Sequence, residues 1–255
     1  MRYMPIAKVM AAMVLGQEIL DGEGKALLEK GTLLGQEETQ RLLGLGVSGI
    51  YIEDGFSSGV EARGLISPAL CQEALRLVHD LFQEEKFREV GQDDIIDLAR
   101  RIAEELIAGK EMLYDRMDVR AADDYAYFHA VNVAVLSAML GIQAGELDLE
   151  ELTMLTAAGL VHDVGRRYVE QEVLNAKRAL TEEERMLVVQ HAKLSYDFLE
   201  EHYDFGPELL AGVLEHHEWY NGCGYPMRRS GQEISYFARI LKIADVFDAL
   251  TSRLP

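Results

Sequence analysis

Of the seven histidines in this 255-residue chain, five, His129, His162, His191, His216 and His217, have apolar residues about three, four or seven positions away in helical stretches. That spacing is the inward face of a helix, so imidazoles are aimed at a core. For His129 the companions are Val133, Leu136 and Leu140; for His162 they are Leu155, Ala158 and Gly159; for His191 they are Leu187, Val188, Leu194 and Phe198. His216 and His217 follow Leu209, Leu210 and Val213. Adjacent residues on a helix diverge by about 100°, so both can serve one site only at its edge, which suits a wide, two-ion site. Asp163 follows His162, and Asp245 lies in the apolar helical stretch 237–250; both carboxylates are costly to bury unless paired or metal-bound.

Taken singly, each histidine could be satisfied by a backbone hydrogen bond and each aspartate by a cap or an ion pair. Five inward histidines and two inward carboxylates in one helical region are different, because desolvating them together without an ion would be heavily destabilising. Imidazole and carboxylate without thiolate suit iron, manganese, zinc or nickel, and the ligand types alone do not choose. A carboxylate shared by two ions about 3.5–4 Å apart leaves room for a bridging hydroxide, a nucleophile suited to in-line attack on phosphorus. Phosphoester hydrolysis is the chemistry this set serves.

The rest of the chain reads as mainly α with a small β-rich start. Residues 4–52 carry short apolar stretches, at 6–15 and 26–34, around the turn-rich Asp21-Gly22-Glu23-Gly24, then a helical stretch at 37–43 and a β-prone Gly49-Ile50-Tyr51-Ile52. A Gly-, Ser- and charge-rich run at 53–64 marks a boundary. Residues 67–117 have long helical periodicity and read as a connector. From Asp123 on the pattern is helical, with a Thr181-Glu182-Glu183-Glu184 capping box and a Gly/Pro break at 221–226. The expected division is therefore a β-rich domain at 1–60, a connector at 61–118 that could pair two chains into a homodimer, and an all-helical bundle at 119–255.

An apolar share of 49% supplies a core, and a net charge of -19 opposes general attraction to DNA, RNA or anionic lipid. Cys71 and Cys223 are far apart and in no metal-type spacing, as where thiols stay reduced, so a cytoplasmic setting is expected. The early apolar run 9–15 is too short to span a bilayer, and neither anchor nor export signal is expected.

Four spaced runs add a resemblance: His162-Asp163-Val164-Gly165; His191; His216-His217-Glu218-Trp219-Tyr220-Asn221-Gly222-Cys223-Gly224-Tyr225-Pro226; and Ile243-Ala244-Asp245-Val246-Phe247-Asp248-Ala249-Leu250-Thr251-Ser252. In this order they resemble an HD-GYP domain, from about residue 123 to the chain end. Leu15-Gly16 and Leu27-Leu28-Glu29-Lys30-Gly31-Thr32 resemble, more weakly, the small domain often found ahead of it in bacteria. The resemblance implies a phosphodiesterase that opens cyclic di-GMP to pGpG and cuts that further to GMP, with two iron or manganese ions. By matching position, it implies that Asp163 bridges the ions. His129, His162 and Asp245 would hold one, and His191, His216 and His217 the other. Gly222, Gly224, Tyr225 and Pro226 would form a loop that shapes the substrate rim and a partner surface; the plain reading of its glycines is a tight turn.

Departures from the family pattern bear on activity. Arg166 replaces a lysine and keeps a cation for phosphate, so it is expected to contact substrate and assist catalysis. Tyr125 stands where some members have a third-metal glutamate, so two metals are expected; Asp124 next door is off the helical face. Arg253-Leu254-Pro255 stand where the family continues into a substrate-holding Arg-Pro-Tyr, so either the chain is cut short or that contact is lost. Asn221 and Cys223 replace Asp and Ser without removing a predicted ligand. Trp219 and Tyr220 could stack on guanine or simply pack, and the Arg166-Arg167 and Arg228-Arg229 pairs could counter the acidic background or simply be solvated. His79 and His202 lie outside every motif. Two rivals to the enzyme remain: a catalytically silent signalling module, and a phosphohydrolase of another nucleotide.

Overall fold

The computed structural model describes residues 1–45, 47, 49–54, 65–109, 125–174, 176 and 178–252. The expected divisions at 60/61 and 118/119, most of the boundary run 53–64, Asp124 and residues 253–255 lie outside the described residues.

The first region is β-rich, as the short apolar runs predict. Strands β1 (Arg2–Pro5), β2 (Met13–Leu15), β5 (Leu33–Leu34) and β6 (Gly49–Glu53) form an antiparallel sheet in the order β1-β6-β2-β5. β3 (Ile19–Leu20) and β4 (Ala26–Leu28) form a hairpin. Its turn is set by Asp21, whose Oδ1 accepts from the backbone N–H groups of Glu23 (3.0 Å) and Lys25 (2.8 Å). Helix α1 (Gln36–Gly44) buries Leu42 in the same apolar core as Leu15, Ile19, Ile50 and Ile52. The apolar run 6–15 is a strand only at its end, because Ile6–Lys8 forms a 3-10 turn. The run 26–34 is two strands, not one.

The helical region contains α2 (Pro68–Phe82), α3 (Gln92–Ala108), α4 (Tyr125–Ala144), α5 (Leu149–Val161), α6 (Gln171–Leu174), α7 (Glu182–Val189), α8 (His191–His202), α9 (Pro207–Glu215) and α10 (Tyr236–Thr251). Their ends follow local chemistry. Asp148 and Glu151 cap α5 reciprocally at 2.9 Å each way, Thr181 and Glu184 do the same for α7, and the Ser235 hydroxyl caps α10.

Helices α2 and α3, expected as a connector, belong to the bundle itself. Leu75, Val78, Leu98 and Ile102 are fully buried in one core with Ala134 and Leu155, and α3 packs along α5. Periodicity predicts an apolar stripe on these helices but not what covers it. Leu20 also enters this core, and Gln72 Nε2 donates to Glu18 Oε2 at 3.5 Å, so the small domain rests on α2.

Helix α4 is apolar all round. Among the described residues it is the one helix long and apolar enough to cross a membrane, yet 67% of its most apolar stretch is buried here. It is the central helix of the bundle, touching α2, α3, α5 and α10, and it carries His129 and Asn132 among the buried residues.

Candidate metal centre

The seven predicted metal-site residues come together, and helix ends rather than helix middles present four of them. His162 caps the C-terminus of α5, Asp163 lies in the turn after it, His191 opens α8, and His216 caps α9. A helix leaves its last-turn carbonyls without an intrahelical partner. Here the imidazoles take them: Nδ1 of His162 donates to Gly159 O (2.8 Å), Nδ1 of His191 to Val188 O (2.5 Å) and Nδ1 of His216 to Val213 O (2.6 Å). A carbonyl only accepts, so each Nδ1 carries the proton and each Nε2 presents a lone pair. Because α9 stops at Glu215, His216 and His217 are freed from the divergence of a helix, and both reach the same neighbour.

The lone pairs of His191 and His216 face each other, with His217 Nε2 beside them. His191 Nε2 lies 3.3 Å from His216 Nε2 and 3.0 Å from His217 Nε2. Asp163, fully buried, divides its oxygens between two groups. Oδ1 is 3.1 Å from His191 Nε2 and 3.8 Å from His216 Nε2, whereas Oδ2 is 3.4 Å from His162 Nε2 and 3.9 Å from His129 Nε2. Neither oxygen accepts a hydrogen bond, and His162 Nε2 is likewise buried without one. Arg166 Nε stands 2.8 Å from Asp163 Oδ2, an ion pair by distance that lacks hydrogen-bond alignment. Ligand atoms of Asp163, His191, His216 and His217 lie within 4.8 Å of one another, as do those of His129, His162 and Asp163. Buried acceptors left in this state fit a cation between them.

Asp245 stands beside both groups and completes neither within that distance. Its Oδ1 is 3.2 Å from His129 Nε2 and its Oδ2 is 3.8 Å from His217 Nδ1. His129 is oriented differently from the other histidines, by a carboxylate: Asp248 Oδ2 meets its Nδ1 at 2.7 Å, Asn132 Nδ2 donates to Asp248 Oδ1 at 2.8 Å, and Tyr125 stacks on the ring at 5.2 Å. Asp248 and Asn132 were legible only as spacing, each three residues beyond a candidate ligand on the same helix face.

The electrostatics follow from burial and neighbours. Burial, together with His162 and His191, holds His216 down at about 3, so it is neutral. Burial with His216 and His191 holds His217 well below its ordinary value. Burial also opposes charge on His129, but hydrogen bonds to Asp245 and Asp248 outweigh it and raise that imidazole to about 9. Asp163 stays far below the usual carboxylate range despite burial, because Arg166 and His162 face it. Burial lowers Lys242, with Asp245 opposing; its Nζ sits 3.3 Å from His217 Nδ1.

Beyond the centre, Tyr225 stacks on His217 at 4.8 Å, Gly222 takes φ +77° in the turn where its N–H meets Trp219 O at 2.8 Å, and Pro226 is exposed. Gly165 and Gly224 are demanded by space. A Cβ on Gly165 would collide with the backbone of His191 and Ser195, and one on Gly224 with the backbone of Glu218 and Trp219. The arginine pairs are split in role: Arg167 lies over Phe87 (4.5 Å) and Phe198 (4.9 Å), and Arg229 pairs with buried Glu215. His79 meets Asp80 at 3.2 Å, and His202 packs on Phe87 and Phe198.

The chain is similar to several known proteins. The chain is 30% identical over 73% of its length to "Cyclic di-GMP phosphodiesterase PA4108" of Pseudomonas aeruginosa, covering 45% of that protein. It is 36% identical over 47% of its length to the response regulator RpfG of Xanthomonas campestris, covering 32% of it. It is 35% identical over 54% of its length to "3'3'-cGAMP-specific phosphodiesterase 1" of Vibrio cholerae, covering 31%. The chain thus spans less than half the length of these relatives. The fold matches that of Bd1817, a HDG"Y"P protein from Bdellovibrio bacteriovorus, with a TM-score of 0.60 at 15% identity, over 100% of this chain and 90% of that one. The HD domain model matches residues 85–255, which takes in α3 as well as the motifs and implies divalent-metal binding. The chain belongs to the HD domain family, and its motifs are those of the HD-GYP branch.

Proposed function

We propose that this chain is a metal-dependent phosphodiesterase that hydrolyses cyclic di-GMP to pGpG and onward to GMP. The observation that carries the reading is the set of imidazole Nε2 atoms gathered around the divided oxygens of Asp163. Asp163, His191, His216 and His217 would hold one ion, and His129, His162 and Asp163 the other, with Asp245 closing onto the His129 side. Iron or manganese suits this nitrogen and oxygen set. Two such ions, when bound, supply Lewis acidity toward a phosphoryl oxygen and lower the pKa of water.

The chain's own residues supply the rest. Asp163 is held ionised and shared; the last-turn carbonyls fix three tautomers; Asp248 fixes the ring of His129. Arg166, with 20% of its side chain exposed, can offer its remaining guanidinium donors to a phosphate while Nε faces Asp163. Tyr225, Gly222 and Pro226 would border the substrate. Exposed Tyr220 and Met227 support the same loop as a protein-contact surface. Cys71 and Cys223, neither in a disulfide, suit a cytoplasmic setting.

A second substrate, 3'3'-cGAMP, is favoured by the names of relatives at 34–35% identity. The test is to load anaerobically purified protein with iron(II) or manganese(II), offer each cyclic dinucleotide, and resolve products chromatographically beside Asp163→Ala. Linear product that disappears in Asp163→Ala is expected. A protein containing two metals per chain that cleaves neither would sink the hydrolase reading.

A further inference from the structure

The chain has one tryptophan, and it is held out in solvent. Trp219 is 53% exposed, yet the backbone around it is fixed. Its carbonyl accepts from Gly222, its N–H side is packed against Gly224, and the preceding Glu218 is buried and accepts from Met227 N at 2.6 Å. With the backbone held, little more than the ring's own rotamer has to be ordered when something stacks on it. Lys242 stands between that face and the metal centre: its Nζ is 5.5 Å from the Trp219 ring, 3.3 Å from His217 Nδ1 and 4.0 Å from Asp245 Oδ2. Its side chain is 21% exposed, close to the 20% of Arg166, so two cations reach solvent from this centre. Arg166 approaches through Asp163, and Lys242 through His217 and Asp245.

A cyclic dinucleotide carries two phosphates, of which one reacts. A chain of net charge -19 has no general attraction for the other, so a local cation is required. We propose that Lys242 and Trp219 form a nucleotide subsite on the rim of the centre, Lys242 holding the phosphate that does not react and Trp219 stacking on the adjoining purine. This subsite rests on the proposed function for its substrate class. Lys242 acts as a donor and countercharge and Trp219 as a platform; neither makes or breaks a bond.

The single tryptophan makes binding visible independently of turnover. In metal-loaded protein, rapid mixing with cyclic di-GMP is expected to quench Trp219 fluorescence before product forms, and ribose 5-phosphate is not. Trp219→Leu and Lys242→Met are each expected to raise KM for cyclic di-GMP roughly tenfold, the scale of one stacked base. Their loss on bis(p-nitrophenyl) phosphate, which has one phosphate and no purine, is expected to be several times smaller, and Lys242→Arg should recover most of the KM. Equal losses on both substrates would assign Lys242 to support of His217 and overturn the subsite. Cleavage without quenching would overturn it too, leaving the hydrolase intact. Quenching without cleavage, weakened in Lys242→Met, would uphold the subsite and sink the hydrolase.

Discussion

The small domain and the helical bundle bury opposite kinds of matter. The sheet closes on Leu15, Ile19, Leu34, Ile50 and Ile52 with Gln17 Oε1 as a buried polar atom beside them, whereas among the described residues the polar and charged residues buried as a whole lie from His129 to Ser252. A core of the first kind gains stability from apolar area alone. The second kind gathers His129, His162, Asp163, His191, His216, Asp245 and Asp248 where water cannot solvate them, so its stability is tied to a cation.

That contrast can be broken at several points. Asp163→Ala removes the one carboxylate shared by both groups, and its loss of metal affinity, read by competition with a chelator, should exceed the ~100-fold reached by outer-shell changes. Metal at a hundred times its dissociation constant should stabilise the bundle by about 2.7 kcal/mol in urea unfolding. Hydrogen exchange in the sheet should not change, and if it slows equally, the two regions unfold as one. Asp248→Asn should weaken metal binding roughly 10- to 100-fold, since it disturbs the orientation of His129 and the hydrogen bonds that Asn132 and Ser252 make to the same carboxylate. Ile50→Val in β6 should cost only about 0.5–1.5 kcal/mol, from the sheet, and leave metal content unchanged.

The bundle's chemistry was legible because periodicity reports which way a helical residue faces, and His129, His162 and His191 all face inward. What covers a face is not in the periodicity, so α2 and α3 looked like a connector though Leu98 and Ile102 lie in the central core. Where a helix stops also mattered: α9 ending at Glu215 lets His217 reach His191. Asp248 stands in one of the motif runs, yet its role was not legible there, because that role is a contact with His129, 119 positions away. Arg167 and Arg229 carry charge that the sequence pattern reads as solvated, but one packs on aromatic rings and the other neutralises Glu215.

Three tautomers of this centre are decided within four residues of chain: Gly159 sets His162, Val188 sets His191 and Val213 sets His216. Such a ligand travels with its own helix end. Substitutions elsewhere can shift where α5, α7 and α9 terminate relative to one another, but they cannot flip these rings. His129 and His217 lack that independence, since Asp248 of α10 meets Nδ1 of His129, and Lys242 and Asp245 of the same helix face Nδ1 of His217. Sequence drift in α10 should therefore reach the centre first at His129 and His217, while His162, His191 and His216 keep their tautomers as long as their helices end where they do.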